Sequence, residues 1–187
     1  QGKEMVLTWA IDSDAANAEM KEHPELKAQA DALPKKGQGF LVEIVDKRTG
    51  AYLHGLVAGV RNWRGGGVGD RQAYVFGDFA LITSEHESTA VYRISTGQRI
   101  GEVFGWAEGY DADLGLFCVT NRRNELVIYD GATARERKHF TYATHVRFTA
   151  FVPGGKKLIV LTSDQKMHMI DLDELGHGTV EAAAVTH

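Results

Sequence analysis

The sequence predicts an all-β protein in which one four-stranded unit is repeated along the chain. Two observations lead to this prediction. First, β-rich runs occur in pairs across short turns that carry Gly, Asp, Ser or Thr, which is typical of antiparallel hairpins. Second, the same pair returns several times at a spacing near 40 residues, which is typical of stacked or radial repeat folds.

The repeated hairpin is clearest in three copies, and a fourth begins at Met167. The separation is 47 residues from Thr49 to Thr96 and 37 residues from Thr96 to Thr133, so loops of different length interrupt one common unit. Each copy consists of a strand, a turn and a second strand, at 40–46, 47–50 and 51–57, at 90–94, 95–98 and 99–104, and at 126–130, 131–134 and 135–140.

Two further strands are predicted upstream of each later hairpin. They lie at 73–76 and 79–83, at 109–113 and 116–120, and at 146–152 and 157–162. Four short strands at this period form the blade of a β-propeller. The sequence therefore predicts a single domain, 1–187, that is a partial β-propeller of about 3.5 antiparallel blades. The predicted blade boundaries are 1–58, 71–104, 109–142 and 145–187.

The first blade carries a short helical insertion near the N-terminus. Residues 4–11 form a strand pattern, whereas residues 13–33 are rich in Ala, Glu and Lys. Ser13 or Asp14 provides an N-cap, and acidic residues occupy the early turns. Because proline breaks or kinks a helix, Pro24 predicts two short helices in the middle turn of this blade.

The fourth unit carries a resemblance to known families. The stretch 148–164 contains the turn Pro153-Gly154-Gly155-Lys156, and the unit closes on Ile170-Asp171-Leu172. This pattern resembles the WD-repeat and quinoprotein-like (PQQ-like) propeller families, in which a Pro-x-Gly-Lys turn joins the two inner strands. The resemblance covers about residues 38–172 and implies the C-terminal part of a longer, divergent bacterial-type propeller.

Departures from those families bear on cofactors. The Trp-Asp dipeptide of the WD repeat is absent. The tryptophan that follows the turn in quinoprotein dehydrogenase blades is missing after Gly50, Gly97 and Ala134. We therefore expect no quinone, and no other cofactor is indicated.

Composition and motifs argue against several classes of function. A net charge of -4 disfavours nucleic acid, which usually requires a marked basic excess. No apolar run approaches the roughly 20 residues of a membrane span, and nothing in the sequence fixes the compartment. Cys118, the single cysteine, lies in the apolar run 116–119 and is expected to be a buried hydrophobe.

Metal, nucleotide and nucleophile motifs are also missing. The eight histidines have no zinc-site spacing. Gly65-Gly66-Gly67 is not followed by the Lys-Ser or Lys-Thr of a phosphate loop, and helix capping accounts for Asp12 and Asp14 better than calcium does. We predict no catalytic, metal-binding or cofactor-binding residue.

The candidate site is a rim formed by the loops between second and third strands and by the loops between blades. Tryptophan and arginine dominate protein interfaces, and both are found in these loops. The alternative is that the tryptophans cover blade edges while the arginines are solvated. The candidate partner-binding residues are Arg61, Trp63, Arg64, Trp106, Arg122, Arg123 and His145.

These observations favour a non-catalytic protein-binding or assembly module, which completes its ring with a second copy or docks onto a protein partner. One alternative is a fragment of a propeller enzyme of the lactonase, phytase or quinoprotein dehydrogenase type. Such sites gather side chains from most blades of a closed ring, so the chain length argues against it. A second alternative is a structural subunit of a larger complex.

Overall fold

The structure is a computed structural model that describes residues 4–33, 39–59, 73–84 and 87–173. These ranges contain two α-helices, α1 (Asp14–Glu22) and α2 (Pro24–Asp31), and a short 3-10 helix at Ile94–Thr96. The described strands are β1 (Glu4–Ala10), β2 (Gly39–Asp46), β3 (Tyr52–Gly59), β4 (Ala73–Phe76), β5 (Phe79–Ser84), β6 (Ser88–Arg93), β7 (Arg99–Phe104), β8 (Trp106–Asp111), β9 (Leu116–Thr120), β10 (Glu125–Asp130), β11 (Glu136–Thr141), β12 (Val146–Val152), β13 (Lys157–Thr162) and β14 (Met167–Asp171).

The strands form four sheets in chain order. Two sheets have three described strands, β1-β2-β3 and β12-β13-β14, and two have four, β4-β5-β6-β7 and β8-β9-β10-β11. Neighbouring strands in a sheet are consecutive in sequence, apart from the helices inserted between β1 and β2. This is the meander of propeller blades, and it confirms the predicted partial all-β propeller.

The start of the third blade differs from the prediction. Strand β8 begins at Trp106, whereas the sequence indicated a strand at 109–113. The register with β9 shifts between Ala107 and Gly109, so the strand contains a bulge. A bulge interrupts the alternation of inward and outward side chains, and this hid the strand from pattern reading.

The chain divides into two compact units, and the sheet β4–β7 contributes residues to both. The first unit comprises 1–82 and 92–99, and the second comprises 83–91 and 100–187. Each unit has its own hydrophobic core, described below.

In the first unit, the helix pair packs against one face of the sheet β1–β3. The Ser13 side chain accepts a hydrogen bond from the Ala16 amide at 3.2 Å, and Pro24 opens α2, so the predicted cap and break are both confirmed. The core between helices and sheet consists of Ile11, Ala16, Met20, Leu26, Leu41 and Val57, with Trp9, Ala30, Leu33 and Tyr52 at its margin.

The opposite face of this sheet is buried as well. Its residues alternate with those that face the helices along β2 and β3. They include Phe40, Val42, Ile44, Leu56 and Ala58, each at most 2% exposed. Both faces of the sheet are therefore buried along β2 and the second half of β3, whereas Met5 on β1 and Leu53 on β3 remain exposed.

The second unit has a core between the sheets β8–β11 and β12–β14. It is formed by Leu116, Cys118, Leu126, Ile128, Phe140, Tyr142, Leu158, Val160, Ile170 and Leu172. Cys118 is fully buried, as predicted. Burial raises the pKa of its thiol to about 12.

The repeated turn has a common physical basis. In the first copy, Asp46 accepts hydrogen bonds from the amide and the hydroxyl of Thr49, at 2.8 and 2.9 Å. In the third copy, Asp130 accepts from the amide and hydroxyl of Thr133, at 3.0 and 2.8 Å. The residue after each threonine has positive φ, +72° at Gly50, which explains why glycine recurs there.

The second copy keeps the turn but takes its carboxylate from elsewhere. Arg93 occupies the position of the aspartate, and Asp78 accepts hydrogen bonds from the Ser95 amide and hydroxyl, both at 2.7 Å. Gly97 again has positive φ, +64°. The conformation of the turn is thus maintained by an acceptor that the local sequence pattern does not show.

Candidate functional site

Among the described residues of the predicted rim, Arg122, Arg123 and Trp106 belong to a cluster of arginine and aromatic side chains, which we call the arginine–aromatic surface. It lies in the second unit. Arg122 and Arg123 occupy the turn between β9 and β10, Phe104 ends β7, and Trp106 begins β8. Glu87, between β5 and β6, completes the cluster.

Each arginine of this surface lies over one ring. The Arg122 guanidinium carbon is 5.5 Å from the centre of the Trp106 ring, and that of Arg123 is 5.4 Å from the centre of the Phe104 ring. Arg122 also places Nε 2.9 Å from Oε1 of Glu87. Such cation–π contacts typically contribute about 0.5–1 kcal/mol at exposed positions, so they orient the guanidinium groups without burying them.

The turn that carries the two arginines is held by Asn121. Its Oδ1 accepts hydrogen bonds from the Arg123 amide at 2.9 Å and from the Glu125 amide at 3.3 Å. Its Nδ2 donates to Oε2 of Glu125 at 2.7 Å. Because Asn121 is only 7% exposed, these bonds are shielded from water and fix the backbone of the turn.

The connection between Phe104 and Trp106 is held just as firmly. The carbonyl of Gly105 accepts from the Thr89 hydroxyl at 2.8 Å, and its amide donates to the carbonyl of Glu87 at 2.7 Å. Gly105 has a φ of +123°, and a Cβ atom there would lie 2.6 Å from the Thr120 carbonyl oxygen. Only glycine fits this position, so the two rings are displayed from a fixed backbone.

Trp106 combines two roles that the sequence presented as alternatives. The sequence predicts a loop at Trp106. In the structure it is the first residue of β8, and its side chain is half-buried. Arg122 lies over its ring, so that an aromatic at a blade edge supports an exposed cation.

Of the other predicted rim residues, Arg61, Trp63 and Arg64 lie outside the described residues, as does the glycine cluster 65–67. His145 is exposed before β12, where its carbonyl accepts from the Ser163 amide at 2.8 Å. The helical insertion, also predicted on the rim, packs against the sheet β1–β3.

A second surface was not predicted: the outer face of the sheet β12–β14, which we call the open face. One row across the three strands consists of Phe148, Leu161 and Met167, and the next of Ala150, Ile159 and Met169. Phe148, Met167 and Met169 are 55%, 53% and 51% exposed. Three large apolar side chains that are half exposed and adjacent form the kind of patch that marks an interaction site.

The next row of the open face carries no net charge. It consists of Val152, Lys157 and Asp171, with Lys157 opposite Asp171 in the strand register. The sequence contains a signal for this face. Residues 158–161 form a continuous apolar run, which indicates a strand intended for burial on both faces, but the run was used only to place the strand.

Comparison with known proteins supports the fold alone. No family model matches the chain, and no curated protein matches it. Among solved structures, the chain is similar to BamB from Moraxella catarrhalis, with 12% identity, a TM-score of 0.52, and coverage of 82% of this chain and 48% of that one. It is also similar to Kuenenia stuttgartiensis hydrazine synthase, with 19% identity, a TM-score of 0.52, and coverage of 80% and 46%.

A third similar structure is KlHsv2 with loop 6CD replaced by a Gly-Ser linker. Its identity is 9%, its TM-score is 0.54, and the match covers 78% of this chain and 47% of that one. The chain thus spans about half the length of the solved structures that it matches. No described helix is both long and apolar enough to cross a membrane.

Proposed function

We propose that this chain is a non-catalytic assembly module, a partial propeller that associates with a second copy of itself through the open face. The observation that carries the proposal is the exposure of Phe148, Met167 and Met169 in adjacent rows of one sheet. The other face of the same sheet already packs against a blade, with Leu158, Val160 and Ile170 in the core.

Burial of the open face supplies the driving force. Full burial of an exposed Phe, Leu or Met side chain stabilises by about 1.5–3 kcal/mol, and side chains that are half exposed still have roughly half of this to gain. Two sheets also pack well face to face, at a separation of about 10 Å. Burial of several such side chains on each copy lowers the free energy of association, and this offsets part of the entropy that is lost when two copies associate.

A second copy suits this face because the contact joins like to like. The residues of the open face are apolar apart from Lys157 and Asp171, whose charges cancel, so a copy is not repelled. A twofold contact that uses the same patch on both partners is the commonest arrangement in soluble oligomers.

The helix pair argues against the other simple arrangement. In a head-to-tail ring, the open face of one copy would pack on the first sheet of the next, but the helices occupy one face of β1–β3 and much of the other face is buried. The proposal is therefore a face-to-face dimer rather than a closed ring of two copies.

Light scattering coupled to size-exclusion chromatography tests the proposal. The chain has a mass of 20.5 kDa, so the wild type should elute at twice this mass. The double variant Leu161→Thr/Met169→Thr should elute as a folded monomer, since threonine keeps the strand propensity but removes apolar area. Leu53→Thr, at a 39% exposed strand position outside the open face, is the matched control and should remain dimeric. A wild type that stays monomeric as its concentration rises would overturn the proposal.

A further inference from the structure

We propose that the arginine–aromatic surface binds an acidic segment of a partner protein, whose carboxylates accept hydrogen bonds from the terminal nitrogens of Arg122 and Arg123. This inference does not depend on the proposed dimer, because the open face shares no residue with this surface.

The first argument is the supply of uncommitted donors. A guanidinium carries five N–H donors in a planar fork that matches a carboxylate. Arg122 forms an ion pair with Glu87 and keeps a side chain that is 77% exposed. Arg123 is exposed, and among the described residues it pairs with no carboxylate. Both forks are therefore available at the surface.

The second argument is preorganisation. Long side chains lose rotamer freedom when they bind, and this loss weakens binding. Here the Trp106 and Phe104 rings already restrain the two guanidinium groups, and Asn121 fixes the turn beneath them. The entropy cost of binding is thus partly met in the free protein.

The third argument concerns the chemistry of the partner. The Glu87 carboxylate shows that this surface accepts a carboxylate at Arg122, since Oε1 lies 2.9 Å from Nε. Phe104 is 46% exposed beside Arg123 and offers an apolar contact next to the charge. The surface therefore fits a peptide in which an aliphatic residue adjoins Asp or Glu.

The charge of the chain separates this ligand from a nucleic acid. A phosphate backbone is bound by an extended basic surface that releases many counterions. This chain has a net charge of -4, and the two arginines form a compact patch. Two carboxylates are enough to pair with such a patch, whereas a polyanion would extend over the rest of a chain whose net charge is negative.

Fluorescence anisotropy with a synthetic peptide tests the inference. The probe is a labelled peptide of Asp and Glu around one Leu, and its Asn and Gln counterpart is the control peptide. Arg122→Gln/Arg123→Gln should weaken binding of the acidic peptide by about tenfold or more, since each lost hydrogen bond between charged groups lowers affinity by roughly that factor. Arg135→Gln/Arg137→Gln removes the same charge from exposed positions elsewhere and should change binding little.

Three results would overturn the inference: equal binding of both peptides, equal binding by the arginine variant and the wild type, or stronger binding of a single-stranded oligonucleotide that depends on the same arginines. Circular dichroism verifies that each variant folds. The monomeric variant Leu161→Thr/Met169→Thr should bind the peptide as the wild type does, so failure of this inference and failure of the dimer are seen separately.

Discussion

The side chain of Gln29 accepts a hydrogen bond from the backbone amide of Val57 at 2.9 Å. Gln29 belongs to α2, and Val57 lies on β3, the last of the described strands in the order β1-β2-β3. An end strand presents backbone donors that invite pairing with another chain. The helix pair therefore blocks a backbone donor of this strand as well as covering the face of its sheet.

Replacing Leu26 with Ala should expose this blocked end. Leu26 is fully buried between the helices and the sheet, and such substitutions cost about 2–5 kcal/mol in the free energy of unfolding. We expect a lower midpoint in denaturant and, in light scattering, species larger than the wild type. Lys27→Ala, at an exposed position of the same helix, is the control. A Leu26→Ala protein as stable as Lys27→Ala would contradict the assigned packing.

Gly105→Ala should destabilise the second unit strongly. The new Cβ would meet the Thr120 carbonyl oxygen at 2.6 Å in a backbone conformation that L-residues rarely adopt. The conformational strain alone costs about 1–3 kcal/mol, and the backbone contact adds to it. Gly154→Ala is a matched control, since φ is +64° there but nothing lies within 4 Å of the added atom. Urea unfolding should show a clearly larger loss at Gly105, and equal losses would refute the steric account.

Much of the fold follows from the sequence because its repeated turn has a local cause. The hydrogen bonds that Thr49 donates to Asp46 and Thr133 donates to Asp130 each lie within four residues. The sequence therefore shows them as a recurring pattern of residue types. Asp78 and Ser95 are 17 residues apart, and this equivalent contact is invisible to local reading. The bulge in β8 misplaced a strand for a related reason, since its cause lies in the pairing with β9.

The same contrast between local and distant contacts explains which parts of the two candidate surfaces the sequence predicted. Arg122 and Arg123 were identified because turn residues are recognisable by type, but their pairing with Trp106, Phe104 and Glu87 depends on two other connections, β7–β8 and β5–β6. The open face was missed because its exposure depends on what covers the sheet, which an apolar strand such as β13 does not reveal by itself.

Acid should weaken the first hairpin turn through Asp46. The Thr49 amide, followed by the Thr49 hydroxyl, lowers the pKa of this carboxyl below its ordinary value. A carboxyl whose pKa is lower in the folded state stabilises the fold fully above the unfolded pKa of about 3.9, and this stabilisation is lost as the pH falls through the folded pKa.

Asp46→Asn removes the titrating group. When the pH is lowered from above the unfolded pKa of about 3.9 through the folded pKa of Asp46, the urea midpoint of this variant should therefore fall less than that of the wild type. Urea unfolding followed by circular dichroism at a series of pH values measures the difference. Parallel loss in both proteins would show that Asp46 does not contribute.

The Cys118 thiol should be inert in the folded protein. It is fully buried, and its pKa of about 12 leaves almost no thiolate at neutral pH. A colorimetric thiol reagent should therefore react with one thiol per chain in denaturant and negligibly in buffer. Rapid reaction in buffer would mean that the core between β8–β11 and β12–β14 opens readily.

The two helices cover one face of the sheet β1–β3 with residues 14–31, which are inserted at a single turn. Their contacts extend beyond that sheet: Leu26 fills the space above Gly55, and Gln29 bonds to Val57 on β3 while its amide group lies against Gly97. A Cβ atom at Gly97 would lie 2.4 Å from Nε2 of Gln29, so a larger residue in that turn would displace the glutamine. Grafted into the same turn of another repeat array, together with a glycine at the position of Gly97, the insertion offers protein engineers a cover for an exposed sheet face.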